Sequence, residues 1–270
     1  MSLIFRKGIK ECAVLLSEEK GKEHTVFVYG KTLNHSDIAK SAGVSSEGPI
    51  VLDKNFPANY PFYIRNQNEY EMEDIHYRLD TVHGAADFDS PGAAIQAAAR
   101  LAKKLDLAAK LEKARPGTEN DTKVPLLIYD AGQGHFALWL SHYLKAAGHE
   151  NNHWVLSGRN IIALASARAA LCNNTVIIPT ADIFLDRERL SSSKKDFRLI
   201  AFFPETVSET DRREANWQGL SELAEAGSII IIGMSSSEAE RFDKKKPTLF
   251  SRLGDIKRKG FRALAYQKQG

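Results

Sequence analysis

Asp130, Gly132 and Gly134 are the residues whose types and spacing point most directly to chemistry. They follow the apolar run Leu126-Leu127-Ile128-Tyr129 and precede a helical pattern that begins near Phe136. Strands buried on both faces of a parallel sheet read as continuous apolar runs, and ligands sit beyond their carboxyl ends. Glycines at alternate positions allow a tight turn and a close backbone approach, while Asp130 can accept hydrogen bonds from hydroxyls or an amine. A small-molecule site fits this turn. So does an ordinary strand-turn-helix whose glycines serve only the backbone, so the elements around it decide.

Those elements alternate. Segment 93–114 is rich in alanine and leucine and reads as the longest helix, with Asp89 or Ser90 as N-cap and Pro91 at the first helical position. A polar loop, 115–123, leads to the central strand. Then come a helix over 136–147 ended by Gly148, a strand at 154–156, a helix over 160–171 and a strand at 175–179. A strand at 197–203, a helix over about 210–226, the apolar run 228–233 and a closing hairpin over 260–267 complete the order. The serine triplets at 191–193 and 235–237 read as loops. Strands alternating with helices imply a mainly parallel sheet covered on both faces. Upstream, 63–78 suggests a short antiparallel hairpin. Residues 1–62 read as a small N-terminal α/β module with strands at 12–16 and 25–29, a polar turn at 18–22, and no defensible chemistry of its own.

Composition narrows the class. The chain has 270 residues, a formal net charge of +3 and two cysteines, Cys12 and Cys172. Two cysteines are too few for a disulfide framework, no metal-ligand spacing is present, and both read as small buried apolar residues. Without an apolar leader or membrane-length segment, the expected setting is the cytoplasm, with no membrane and no metal partner. The basic run of Arg241, Lys244, Lys245, Lys246, Arg252, Lys257, Arg258, Lys259, Arg262 and Lys268, interleaved with Phe250 and Phe261, fits a surface following a phosphate backbone. It also fits a solvated basic face.

The DAGQGH turn, the short second strand, Asp182 after the third strand and the Phe197-Arg198-Leu199-Ile200 motif together resemble a class I S-adenosylmethionine-dependent methyltransferase. Within that superfamily, the segment VHGAADFDSPGAAIQAAARL looks most like the small-subunit ribosomal RNA methyltransferase C group, which modifies the exocyclic amine of guanine. The resemblance covers about 63–267. It implies a Rossmann-like, doubly wound, mainly parallel seven-stranded α/β sheet over 63–270, with S-adenosylmethionine as cofactor and ribosomal RNA as partner. Asp130, Gly132 and Gly134 would line the methionine part of the cofactor; Asp182 would accept from the adenine amine, with Ile183 or Phe184 against the ring.

Two departures stand out. Where the family places an acid for the ribose hydroxyls, this chain reads Ser157-Gly158-Arg159-Asn160, leaving Asn160 to make one such bond beside a new cation. Where amine methyltransferases carry an N-P-P-aromatic turn, it reads Phe202-Phe203-Pro204-Glu205. Phe203 would stack the base and Glu205 would orient or deprotonate the amine, or Phe202 is core and Glu205 solvated. His83 would reach the substrate side, or serve structure alone. Lys244, Lys245 and Arg258 would meet the RNA. No Walker loop is present, and a dinucleotide oxidoreductase competes on the turn alone, with Ala137 in place of a third glycine. The second functional expectation is a catalytically lapsed methyltransferase-fold module that binds RNA or a protein.

Overall fold

The computed structural model describes residues 13–20, 25–31, 63–85, 89–113, 124–130, 132–150, 152–171, 175–180, 182–193, 197–204 and 211–270. Cys12, Cys172 and Glu205 lie outside the described residues, so the expectations attached to them do as well.

The chain divides into two units, Met1–Leu52 and Asp53–Gly270. In the first, β1 (Ala13–Lys20) and β2 (Thr25–Lys31) pair antiparallel from Ala13↔Lys31 to Lys20↔Thr25. The strand therefore runs on through Glu18, Glu19 and Lys20, where sequence suggested a turn; ladder pairing outweighs the polarity of the side chains.

The second unit opens with an antiparallel hairpin of β3 (Ile64–Met72) and β4 (Ile75–Val82). Glu73 and Asp74, both at positive φ, make its two-residue turn. Helices α1 (Ala93–Lys104) and α2 (Leu107–Lys113) follow. The single long helix expected over 93–114 is thus two: Asp106 at φ 49° closes the first, and its N–H donates to Lys103 O. The cap also differs, because Gly92, not Asp89 or Ser90, precedes the helix, and Asp89 instead accepts from Thr81 Oγ1 at 2.6 Å and Arg65 Nε at 2.7 Å.

The remaining elements alternate: β5 (Val124–Tyr129), α3 (His135–Ala146), β6 (Asn152–Gly158), α4 (Ile161–Leu171), β7 (Thr175–Pro179), α5 (Arg187–Ser193), β8 (Phe197–Phe202), α6 (Arg213–Leu223), β9 (Ala224–Ser235), α7 (Ser236–Asp243), β10 (Phe250–Arg258) and β11 (Phe261–Lys268). Both serine triplets therefore touch helices, and Ser235 Oγ accepts from Glu238 N to cap α7. Gly260 is the turn of the last hairpin rather than its first strand residue, since β10 begins ten positions earlier at Phe250.

These strands form one seven-stranded sheet in the order β10-β11-β9-β8-β5-β6-β7. Strands β9, β8, β5, β6 and β7 are parallel, and β11 runs against both its neighbours. Period-2 alternation divides each central strand between two cores. Leu126, Ile128, Leu199, Ala201, Ile229 and Ile231 face one layer, with α1 and α3; Leu127, Tyr129, Ile200, Phe202, Ile230 and Ile232 face the other, with Trp217, Leu220 and Phe242. Alanines let α1 lie close on the first face: a Cβ on Gly254 of β10 would already touch Leu101 Cδ1 at 3.4 Å. The mainly parallel sheet covered on both faces that the strand-helix alternation implies is observed, as are the double winding and seven strands that the family resemblance implies. No helix among the described residues is long and apolar enough to cross a membrane.

Candidate functional site

The strand order reverses direction at β5 and β8, and in open parallel sheets the crevice at such a point receives the ligand. The last paired row across four strands is Ser157, Tyr129, Phe202 and Ile232. One residue further along each strand gives Gly158, Asp130, Phe203 and Gly233, and all four line a cavity of about 870 Å³. Gly92 to Ile95 at the start of α1, Arg159 to Leu164 at the start of α4, Gly132, Pro204, Met234, Ser235 and Phe261 complete its wall. That volume lies within the range of ligand sites, about 300–1,000 Å³.

Asp130 is held in the left-handed region at φ 52°, with its N–H donating to Ser157 O at 2.7 Å. Its side chain lies against Gly158, where an added Cβ would come 2.8 Å from Oδ1. Gly132 has φ 54° and borders the cavity. Gly134 does not line it. Its φ is 107°, it precedes α3, and a Cβ there would stand 2.9 Å from Ala167 Cα, so it lets α4 pack against the turn.

Asn160 borders the cavity with both polar ends engaged: Oδ1 accepts from Ala163 N at 3.0 Å and Nδ2 donates to Gly84 O at 2.9 Å. It caps α4 and ties down the loop after β4. Asp182 is outside the cavity wall. Its Oδ1 accepts from Phe184 N and Leu185 N, each at 2.9 Å, and Arg212 is ion-paired to Oδ2. Ile183 is fully buried in the second core. The Asp182–Ile183 pair thus performs the loop-capping and packing role that such residues commonly have.

Phe203 and Pro204 line the cavity, while Phe202 is fully buried. The Phe203 ring meets Phe136 edge-on at 5.1 Å and lies so close to Gly233 that a Cβ there would stand 2.7 Å from its Cδ1 and Cε1. His83 is exposed in the turn after β4 and is not part of the cavity wall. Lys244 and Lys245 are exposed at the end of α7, also off the wall, and Lys245 pairs with Glu214 at 2.6 Å. Arg258 ends β10 beside the hairpin turn. The basic run is therefore not an open strip: Arg252 meets Asp243 and Asp255, Arg262 meets Asp255 and Glu240, Lys257 meets Glu240, and Arg241 meets Glu238.

Two residues of the glycine turn, Gln133 and His135, fasten the β3–β4 hairpin to the start of α3. Gln133 is fully buried and its Oε1 accepts from Val82 N at 2.6 Å, pinning β4 to the glycine turn. His135 Nδ1 is 3.0 Å from Tyr77 Oη, and Tyr70 stands edge-on to the imidazole at 4.8 Å. Burial drives the imidazole pKa down to about 4. Phe261 stood out from sequence only as part of the basic run, and Gly233 was missed as a wall residue, although a glycine closing four isoleucines is the same strand-end signal as Asp130 closing Leu126–Tyr129. Among the described residues no cluster of three His, Cys, Asp or Glu side chains is placed to hold a metal.

The wall is mostly apolar and glycine-rich, with Asp130 as its acid and Arg159 as its base. Such a site can enclose a flat heterocycle and receive an amine or hydroxyl at Asp130. The groups present fit the amino-acid end of an adenosyl-methionine cofactor, because Gly158 leaves the space over Asp130 that any Cβ would fill. No carboxylate follows β6 along this wall; the residues there are Arg159 and Asn160.

No protein-family model and no curated protein matches the sequence. Solved structures do. The chain resembles the T. thermophilus 16S rRNA N2 guanosine methyltransferase RsmC, in complex with AdoMet and guanosine, with a TM-score of 0.55 at 13% identity over 98% of this chain and 62% of that one. It is also similar to TrmN from Thermus thermophilus, with a TM-score of 0.45 at 16% identity over 61% of this chain and 48% of that one. The chain thus spans less than two thirds of the length of either. The strand order, the single reversed strand and the likeness to RsmC give this chain the fold of the class I S-adenosylmethionine-dependent methyltransferases.

Proposed function

We propose that this protein is an S-adenosylmethionine-dependent methyltransferase acting on RNA, with the exocyclic amine of a guanine in ribosomal RNA as target. The observation that carries the reading is the row Gly158, Asp130, Phe203 and Gly233 across the switch point, which puts an acid and an aromatic ring in one cavity. The solved-structure likeness supports the choice of an RNA substrate.

When bound, the cofactor supplies an electrophilic methyl group, so the chain's task is alignment and exclusion of water. Asp130 and the backbone of Gly132 would hold the amino-acid end. Asn160 would face the ribose while continuing to cap α4. Phe203 and Pro204 would set the target base, and Glu205, next in sequence, would orient its amine and take the released proton. Lys244, Lys245 and Arg258 would meet the RNA backbone, and His83 would meet the substrate from the loop after β4.

A second reading, a lapsed module that binds RNA or a protein without transferring a methyl group, is favoured by one observation: both polar ends of Asn160 are already used and no acid follows β6. Calorimetric titration with S-adenosylmethionine and its demethylated product separates the two. The enzyme reading expects micromolar binding, about −8 kcal/mol, lost in Asp130→Ala and accompanied by methyl transfer to unmodified small-subunit ribosomal RNA. Absence of binding at high protein concentration rejects it in favour of the second.

A further inference from the structure

Three large apolar side chains are exposed among the described residues, Val176, Leu185 and Phe261, and of these only Phe261 lines the cavity. The residue is 40% exposed. It opens β11, directly after the two-residue turn Lys259-Gly260, whose φ angles of 46° and 79° mark the tight hairpin type in which both central residues are left-handed. Arg258 and Lys259 flank it at the tip, outside the ion pairs that neutralise much of the basic run.

Register puts this residue on the sheet face against which Phe203 rests. Phe261 pairs directly with Ser235 of β9, so the two side chains leave the same face of the sheet. Gly233 lies two residues back along β9 and so shares that face, and the Phe203 ring rests on the position its Cβ would take. Along β9 the backbone positions beside the two rings, Gly233 and Ser235, are about 7 Å apart. A planar ring inserted between two others needs two contact gaps of about 3.5 Å each. The glycine draws Phe203 down against β9, and Phe203 and Phe261 line the same cavity.

We propose that Phe203 and Phe261 form a slot for one unstacked base of a single-stranded nucleic acid, with Arg258 and Lys259 at the hairpin tip meeting the adjoining phosphates. This rests on reading the cavity as a nucleobase site, and it adds a residue and a structural element, the β10–β11 tip, to that reading. The slot recognises a π-face and a neighbouring phosphate, so it takes single-stranded segments in preference to a paired helix, whose bases are already stacked.

The test uses the full chain and a short single-stranded RNA carrying one 2-aminopurine, whose fluorescence is quenched on stacking. Quenching is expected with the wild type, unchanged with Phe261→Tyr, and lost with Phe261→Ala together with roughly a ten- to hundredfold weaker affinity. Since Phe261 is exposed, Phe261→Ala should unfold at the wild-type temperature, which excludes misfolding as the cause. Absence of quenching with the wild type, equal quenching with Phe261→Ala, or loss with Phe261→Tyr overturns the slot. The outcome is independent of the calorimetry: quenching that depends on Phe261 in a protein that does not bind S-adenosylmethionine keeps the slot and rejects the methyltransferase.

Discussion

Gly134 illustrates how one residue type can carry different reasons. From sequence it groups with Gly132 as a ligand-facing glycine, but its φ of 107° and the 2.9 Å from a would-be Cβ to Ala167 show that its first duty is to helix packing. Gly134→Ala combines left-handed strain of about 1–2 kcal/mol with overpacking of about 1–3 kcal/mol. A loss near 3 kcal/mol in urea unfolding is therefore expected, and an unchanged midpoint would show that α4 yields freely. Asp130, at φ 52° over Gly158, does meet the cavity, and nothing but residue type and position was needed to pick it out. Asp182 was equally conspicuous, yet the two N–H groups it accepts and its Arg212 partner depend on a loop conformation and on a residue thirty positions away. Phe261 was legible only as an aromatic of the basic run, for a similar reason: whether an aromatic at a strand start is core or cavity wall depends on which strand pairs with it.

At the scale of elements, the central strands were legible because burial on both faces leaves uninterrupted apolar runs, as in Ile229–Ile232. Helix ends were less so. Asp106 broke a uniformly alanine-rich pattern, and β9 begins at Ala224 where a helix was expected to continue. Nor does any pattern announce that the β3–β4 hairpin is fastened to the start of α3 through Gln133–Val82 and His135–Tyr77. That fastening makes a pH prediction. Burial lowers the folded His135 pKa from 6.5 to about 4. Between those values the unfolded chain binds a proton that the folded chain does not, so stability is full above about pH 6.5 and falls as pH drops toward 4. Wild type should lose on the order of 3 kcal/mol more than His135→Gln across that interval. Parallel urea-unfolding curves at pH 7 and 4.5 measure the difference; equal losses would mean the imidazole is hydrated in the folded state.

For the whole molecule, the seven-stranded sheet orders its chain so that four strand ends, contributed from segments a hundred residues apart, meet at one cavity. A ligand seated there bridges β5, β6, β8 and β9 and should stabilise the second unit as a body rather than one loop. Binding to the folded state alone raises stability by about 2.7 kcal/mol at a hundredfold excess over the dissociation constant. For a unit of this size each kcal/mol moves the unfolding temperature by about 2–4 °C. S-adenosylmethionine at that excess is thus expected to raise the midpoint of scanning calorimetry by roughly 5–10 °C. Asp130→Ala should abolish the shift, because it removes the acid at the centre of the row. Lys245→Ala, which breaks an exposed ion pair away from the cavity wall, should keep it. A shift that survives in Asp130→Ala would place the ligand elsewhere and detach the cofactor from the switch point, whereas its loss there alone ties ligand binding to the strand ends.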